Sequence, residues 1–354
     1  MKTAIVGCGN IAAVHARNLR SLGTELVLAV DEREENAREF AGVWDADRFS
    51  TDWRDALAPG IDCVHICVPP ALHYPIALAC LENGKNVLCE KPLCLSSSEA
   101  LHLSREAEKR ELATAVNFNV RYYPAVREAA ERIRGEEFGE LILVQGSYLQ
   151  EFHILPTGYS WRYQPELAGE LRAVTEIGSH MIDLITFLTR RRMVRVSALF
   201  RNLYPHRKIR EGLMHPEGEG TPLEVGSEDL AVISFMLEGG TPGSMVLSEV
   251  SHGRVNQVRV EISGTGRNIW WDSEEPGRLM EGQRGTGILE NRFPFAGGFP
   301  DSFLELARDF YGRVSGQEGD GPDFRTGYEN LLVCEALAAS SRDDGQWMEI
   351  RYEK

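Results

Sequence analysis

An apolar stretch at residues 3–6 runs directly into Gly7-Cys8-Gly9-Asn10-Ile11-Ala12 and then into a helical pattern that continues to Leu22. This G-x-G-x-x-A between strand and helix constrains the first third of the chain more than any other feature, because each small residue has a geometric task. Gly7 permits the tight turn, Gly9 lets backbone approach a pyrophosphate, and Ala12 lets the helix pack close to the strand. Asn10 and Ile11 sit in the same turn and join the candidate cofactor contacts. A second strand, 25–30, ends in Asp31, 19 residues after Ala12, where a carboxylate can accept from adenosine ribose hydroxyls. That charge repels the extra phosphate of NADP and favours NAD, while Arg33 two residues on keeps NADP open, since a guanidinium can swing over a 2′-phosphate. Taken alone, Asp31 reads more readily as the N-cap of a helix beginning Glu32-Arg33-Glu34-Glu35; the glycine loop turns the reading to ribose binding.

The alternation continues with helices near 52–57, 72–82 and 97–110 and strands at 62–68, 86–89 and 113–118. Repeated βα units of this length give a six-strand, doubly wound parallel sheet. Pro69 and Pro70 stop one strand and form a rigid apolar wall at its carboxyl edge. At the same edge Val87-Leu88-Cys89-Glu90-Lys91-Pro92 carries a buried strand straight into a carboxylate, an ammonium and a ring that cannot continue the sheet. Ligands of open α/β sheets bind on that side, so Lys91 is the leading candidate to touch both cofactor and substrate. The plainer alternative is a solvated turn lysine.

With 354 residues the chain is long enough for two domains, and the rhythm changes after Asn119-Val120-Arg121-Tyr122-Tyr123-Pro124. A helix at 125–134 and a strand at 141–150 lead to an aromatic loop, 153–163. Strands at 194–200, 229–237, 243–250 and 258–263 follow without intervening helices, the mark of an α+β domain with a large open, mainly antiparallel sheet. The expected division is residues 1–121, dinucleotide-binding, and 122–354, substrate-binding and oligomerisation. The Gly-rich, charged segments 204–226 and 273–300 are candidates for lids or partner contacts.

Formal net charge is 38 − 53 = −15, which argues against nucleic acid or an anionic membrane as partner. No run approaches the roughly 18 apolar residues of a membrane span, and the N-terminus lacks a secretory pattern, so a cytoplasmic protein is expected. The seven cysteines are an odd number in mostly apolar patterns and read as buried thiols of a reducing compartment. Cys63, His65 and Cys67 alternate along one strand with no second cluster at zinc spacing, so no metal site is expected.

In the second half Glu176-Ile177-Gly178-Ser179-His180-Met181-Ile182-Asp183 enters a helix, making Glu176 and His180 (i, i+4) and His180 and Asp183 (i, i+3) neighbours. A carboxylate beside an imidazole fixes its tautomer and raises its basicity, as a general base requires. A purely structural His–carboxylate pair is the alternative. Tyr122, His153, Tyr159, Trp161 and Arg162 point to a polar, hydroxylated ligand stacked on aromatics.

The sequence resembles the glucose–fructose oxidoreductase and inositol dehydrogenase family (Gfo/Idh/MocA) over nearly its whole length. The resemblance is carried by the glycine loop, Val68-Pro69-Pro70-Ala71-Leu72-His73, Gly84-Lys85-Asn86-Val87-Leu88-Cys89-Glu90-Lys91-Pro92, Asn119 to Pro124, Trp161-Arg162 and Gly178-Ser179-His180. It implies NAD(P)-linked oxidation of a sugar, polyol or glycoside hydroxyl by the lysine of Glu-Lys-Pro, an aspartate, and a histidine four residues after it. Carried over, these are Lys91 and His180, with Glu176 where the family has Asp. It further implies cofactor contacts from Pro69, Pro70, His73, Glu90, Trp161 and Arg162, substrate contacts from Arg121, Tyr122, His153 and Tyr159, and a homodimer or homotetramer. Two other readings stay open: an NAD-dependent elimination or glycoside cleavage through a keto sugar, and a catalytically silent dinucleotide-binding regulator, for which Glu176 is the hint.

Overall fold

Strand β1 (Lys2–Val6), buried from Thr3 onward, is followed by helix α1 (Asn10–Leu22), β2 (Glu25–Val30), α2 (Glu34–Trp44) and the three-residue β3 (Arg48–Ser50). Next come β4 (Cys63–Ile66), α3 (His73–Glu82), β5 (Asn86–Cys89), α4 (Ser97–Lys109) and β6 (Thr114–Val116). The strands are all parallel, in the order β3-β2-β1-β4-β5-β6, the doubly wound order whose chain reversal leaves a crevice beyond β1 and β4. Of the six strands expected, patterning gives a range to five; the sixth is β3, a short edge strand with no buried residue. The helix expected at 52–57 is a 3₁₀ turn, Trp53–Leu57, capped by the Asp52 carboxylate accepting from the Arg54 amide at 3.0 Å.

The computed structural model describes residues 1–293 and 298–353, and they fall into two compact units, Met1–Asn119 with Phe299–Leu331, and Val120–Gly298 with Leu332–Lys354. In the second unit α5 (Pro124–Arg134) precedes the long strand β7 (Leu141–Leu149), the two-residue β8 (Thr157–Gly158), a single turn α6 (Pro165–Ala168) and α7 (Ser179–Thr189). Strands β9 (Met193–Arg201), β10 (His206–Arg210), β11 (Leu213–His215), β12 (Thr221–Glu224), β13 (Leu230–Leu237), β14 (Pro242–Ser248), β15 (Gln257–Gly264), β16 (Asn268–Asp272), β17 (Arg278–Gln283) and β18 (Gly287–Arg292) follow. A nine-stranded sheet runs β18-β17-β16-β15-β7-β14-β13-β9, with a short β19 (Met348–Glu349) at its edge. Every pairing in it is antiparallel except β7 with β14.

Helix α7 is buried almost all round and lies close to this sheet because two glycines make room: a Cβ on Gly178 would meet Leu247 Cδ1 at 2.6 Å, and one on Gly146 would strike Met181. The opposite face of the sheet exposes Leu199, Val232 and Val246, which the register places in one row across β9, β13 and β14.

Both segments expected as lids or partner contacts contain strands. Residues 204–226 supply three strands of a four-stranded sheet, β12-β10-β11-β8, over a small cluster of Tyr163, Met214 and Val225; the fourth, β8, comes from the aromatic loop. Residues 273–293 supply β17 and β18 to the main sheet; 294–297 of that expectation lie outside the described residues.

The chain then returns to the first unit with α8 (Phe299–Val314) and the start of α9 (Phe324–Arg342). This corrects the expected 122–354 domain. The reason is edge strand β6: the Val116 amide donates to Pro322 O at 2.8 Å, Arg313 Nη1 donates to Thr114 O at 2.7 Å, and Phe303, Leu306 and Phe310 are buried. No helix among the described residues is long and apolar enough to cross a membrane.

Candidate functional site

In the first unit the loop after β1 is held by its own sheet. Gly7 has φ +93°, and a Cβ there would lie 2.5 Å from Cys67 O at the end of β4, so only glycine fits. Its amide donates to Val30 O at 2.7 Å. Gly9 is the extended N-cap of α1, with no capping side chain and open space where a Cβ would stand. The first amides of α1, beginning at Asn10 and Ile11, therefore have no side-chain cap, an arrangement suited to a phosphate.

Asp31 is not an N-cap, because α2 begins later with Arg33 in that position. Its Oδ2 accepts from the Cys8 amide at 3.0 Å, and its Oδ1 from the Arg33 amide and Asn36 Nδ2, both at 3.1 Å. The carboxylate is thus fixed against the glycine loop with about one lone pair, on Oδ2, left for a hydroxyl. The glycine turn, uncapped helix start and fixed acid together fit a dinucleotide. The Arg33 guanidinium is mostly exposed, 3.9 Å from Glu35.

Pro69 is half-buried beside the buried Pro70, which opens a 3₁₀ turn. Two expected cofactor contacts turn out to be braces. His73 is fully buried, with Nδ1 2.8 Å from Pro92 O and Nε2 2.8 Å from Val68 O. Burial keeps the ring neutral, so one nitrogen donates to one of these carbonyls and the other faces the second, and neither is open to a ligand. Glu90, also buried, accepts at Oε1 from His15 Nε2 (2.9 Å) and Asn117 Nδ2 (2.5 Å) and at Oε2 from the Lys91 amide (3.2 Å). Burial pushes its carboxyl up, but the hydrogen bonds from His15 and Asn117 and the nearby Lys91 charge outweigh it and hold the group below the usual carboxylate range. Lys91 itself is half-buried at the carboxyl end of β5.

In the second unit a π-helical turn, Val174–Gly178, leads into α7 and carries Glu176; such turns recur at functional sites. Arg162 Nε lies 2.8 Å from one oxygen of half-buried Glu176 and 3.1 Å from the other, and its guanidinium stacks 4.5 Å from the Trp161 ring centroid. His180 is buried in the first turn of α7, 6.3 Å from the Tyr148 ring.

The expected His180–Asp183 partnership is replaced by another. Asp183 forms a bidentate, buried pair with Arg121, whose Nε is 3.0 Å from Oδ2. Arg121, 5% exposed and stacked over Phe187, is therefore a structural cation rather than a substrate contact. Tyr122 is likewise buried, beneath the Arg127 guanidinium at 4.4 Å. Tyr159 packs on the cluster of Tyr163, Met214 and Val225.

His153 bonds Tyr163 OH through Nδ1, and its Nε2 lies 3.9 Å from Glu249. Burial, with the charges of Arg172, Arg162 and Arg207, lowers its pKa to about 2, so the ring is neutral. His153, Glu176 and Glu249 bring ligand atoms within 4.8 Å of one another, but Arg162 pairs with the first carboxylate and Arg172 with the second. Guanidinium groups already supply the positive charge a metal would bring.

Sequence reasoning missed the network behind these residues. Arg172 and Arg207 stack at 5.1 and 5.2 Å from the Tyr163 ring, and both pair with buried Asp229. His15 and Asn117 on Glu90 were missed as well. The one available signal was His15 on the apolar stripe of α1, between Ala12, Ala16 and Leu19.

Residues 1–118 match the profile of an oxidoreductase family with an NAD-binding Rossmann fold, and residues 126–269 match the Gfo/Idh/MocA C-terminal domain. The chain belongs to the Gfo/Idh/MocA family. Within it, the chain is 28% identical over 344 residues to levoglucosan dehydrogenase of Pseudarthrobacter phenanthrenivorans, covering 89% of this chain and 87% of that protein. It is 26% identical to inositol 2-dehydrogenase of Rubrobacter xylanophilus, covering 96% and 90%. The solved structure of a levoglucosan dehydrogenase in complex with NADH and L-sorbose shares the fold, with a TM-score of 0.92, 24% identity and 99% of both chains covered. The first unit is thus the NAD-binding Rossmann domain of a Gfo/Idh/MocA oxidoreductase, and NAD is its cofactor.

Proposed function

We propose that the protein oxidises a secondary hydroxyl of a sugar, polyol or glycoside, with NAD taking the hydride. The observation that carries this reading is the fixed turn after β5, where Glu90 and His73 are wholly committed to protein partners and Lys91 is the residue delivered to the ligand side of the sheet. Relatives named for levoglucosan and inositol oxidation support the substrate class. Bound NAD supplies the hydride acceptor at its nicotinamide.

The remaining steps belong to this chain. His180 takes the hydroxyl proton as the C–H hydride leaves, and Lys91 stabilises the negative charge developing on the substrate oxygen, as a fixed ammonium in a site sheltered from water can. Glu176, gripped by Arg162, orients the imidazole. Trp161 and neutral His153 offer an aromatic surface and a polar edge to a hydroxylated ring. Asp31 disfavours a 2′-phosphate and so selects NAD over NADP.

The apolar row Leu199, Val232 and Val246 on the open sheet face supports a dimer or tetramer built on that face. Seven cysteines, none of them in a disulfide, support a reducing, cytoplasmic setting.

The test is NADH formation across inositols, aldoses, anhydrosugars and glycosides. Reduction of NAD by at least one hydroxylated ring is expected. Cleavage products without net NADH would replace dehydrogenation by the keto-sugar route, and silence across the panel with NAD still bound would favour the regulator.

A further inference from the structure

Behind Glu90 lies a polar chain that the proposed chemistry does not use. Thr3 of β1, Tyr311 of α8, His65 of β4 and His15 of α1 meet in a buried layer: Thr3 and His65 are fully buried, His15 is 3% and Tyr311 6% exposed. Thr3 Oγ1 is 2.8 Å from Tyr311 OH, which is 2.9 Å from His65 Nε2. His65 Nδ1 is 3.0 Å from His15 Nδ1, and His15 Nε2 is 2.9 Å from Glu90 Oε1. Phe303 and Phe310 pack edge-on against the two imidazoles, each with centroids 6.1 Å apart.

These contacts restrict where the protons sit. A carboxylate only accepts, so His15 Nε2 donates to Glu90. Burial, with His15 alongside, keeps His65 neutral, so it donates through one nitrogen and accepts through the other. With a single proton on His15, its Nδ1 accepts from His65 Nδ1–H, His65 Nε2 accepts from Tyr311 O–H, and the Tyr311 oxygen accepts from Thr3. All donations then point toward Glu90, and every group is satisfied. The opposite direction requires a second proton on His15, placing a cation in a buried layer directly against neutral His65. Because Thr3 is fully buried, the chain ends inside the unit and offers a proton no exit. What it transmits is orientation.

We infer that Thr3, Tyr311, His65 and His15 form a one-way hydrogen-bond chain that sets the Glu90 carboxylate and, through it, the Glu90–Lys91 turn, with Tyr311 as a positioning residue brought in by the C-terminal segment. The effect on turnover rests on the reading of Lys91 as a substrate contact; the proton arrangement does not.

In full-length protein labelled with ¹⁵N-histidine, long-range ¹H–¹⁵N correlations, assigned with His15→Gln and His65→Gln, should show His15 protonated at Nε2 alone and His65 at Nδ1 alone. A proton on His65 Nε2, or on both nitrogens of His15, overturns the chain. Tyr311→Phe removes one oxygen and should release His65 to its other tautomer. It should also lower kcat about tenfold, the size of one buried hydrogen bond, with KM for the substrate near its parent value. His15→Gln, which keeps an N–H facing Glu90, should recover most of the kcat lost in His15→Leu. If Tyr311→Phe changes only thermal stability, leaving the His65 tautomer and kcat as they were, the chain is packing and the inference fails. Should no substrate be turned over, the tautomers still decide the chain.

Discussion

Arg162 Nε lies 2.8 and 3.1 Å from the two carboxylate oxygens of Glu176, an ion pair in which its N–H donates to Oε2. The family pattern has Asp at this position, and the extra methylene here adds about 1.5 Å of reach, which the guanidinium takes up. Glu176→Asp should keep activity but loosen this grip. A double-mutant cycle with Arg162→Ala should give a coupling of about 0.5–1 kcal/mol, modest because Arg162 is partly exposed. A coupling of zero, read from kcat/KM, would mean the contact does not orient Glu176.

Lys91→Ala and His180→Ala should each lower kcat by roughly a hundredfold to ten-thousandfold with NADH binding, read by fluorescence titration, nearly unchanged. The losses fall on the transition state. Glu176→Gln should cost less than either, since it retains the side chain's packing. Equal losses in NADH affinity would move Lys91 and His180 from catalysis to cofactor binding.

NAD should bind more tightly than NADP, and Asp31→Ala should narrow the gap. Because Asp31 also accepts from the Cys8 amide, the same substitution should weaken NAD binding somewhat through the loosened loop. Calorimetric titration showing NADP bound ten times more tightly by the unmodified protein would sink this assignment.

Two glycines of one loop should fail differently. Gly7→Ala drives a methyl into Cys67 O within the unit's own sheet and should lower the melting temperature even without cofactor. Gly9→Ala meets no protein atom, so it should melt like the parent and lose NADH affinity. Identical melting curves for parent and Gly7→Ala would contradict the clash.

His153 makes stability depend on pH. Its pKa is about 2 in the fold against an ordinary 6.5, so between those values the unfolded chain binds a proton that the native ring refuses. Stability is fully present above about pH 6.5 and falls as pH drops, by about 1.4 kcal/mol per pH unit from this group where the difference is one full proton. His153→Gln should flatten that part of the profile in urea melts taken from pH 7 down to 5.

The βα alternation, the glycine loop and the Glu90-Lys91-Pro92 turn were legible because each depends on local chemistry: period-two apolar runs, a missing Cβ, a proline that ends a ladder. What the sequence hid depends on distant pairing. Asp183 sits three residues from His180 and reads as its partner, yet it pairs with Arg121, 62 residues earlier. His73 stands in a family-like stretch and reads as a ligand contact, until two carbonyls from separate loops account for both ring nitrogens. Residues 204–226 read as a lid or partner contact because they are Gly-rich and charged, and only pairing across the small sheet reveals their short strands.

The return of residues 299–331 to the first unit also imposes an order on biosynthesis. The cofactor-binding half begins the chain but is completed near its end, after the whole nine-stranded sheet except β19 has left the ribosome. At about 5–20 residues per second, the nascent β6 edge and the groups awaiting Tyr311 stay uncovered for roughly ten to forty seconds. A fragment cut near residue 121 would be frozen at that stage, with its cofactor loop formed and its flank open to chaperones or to other unfinished chains.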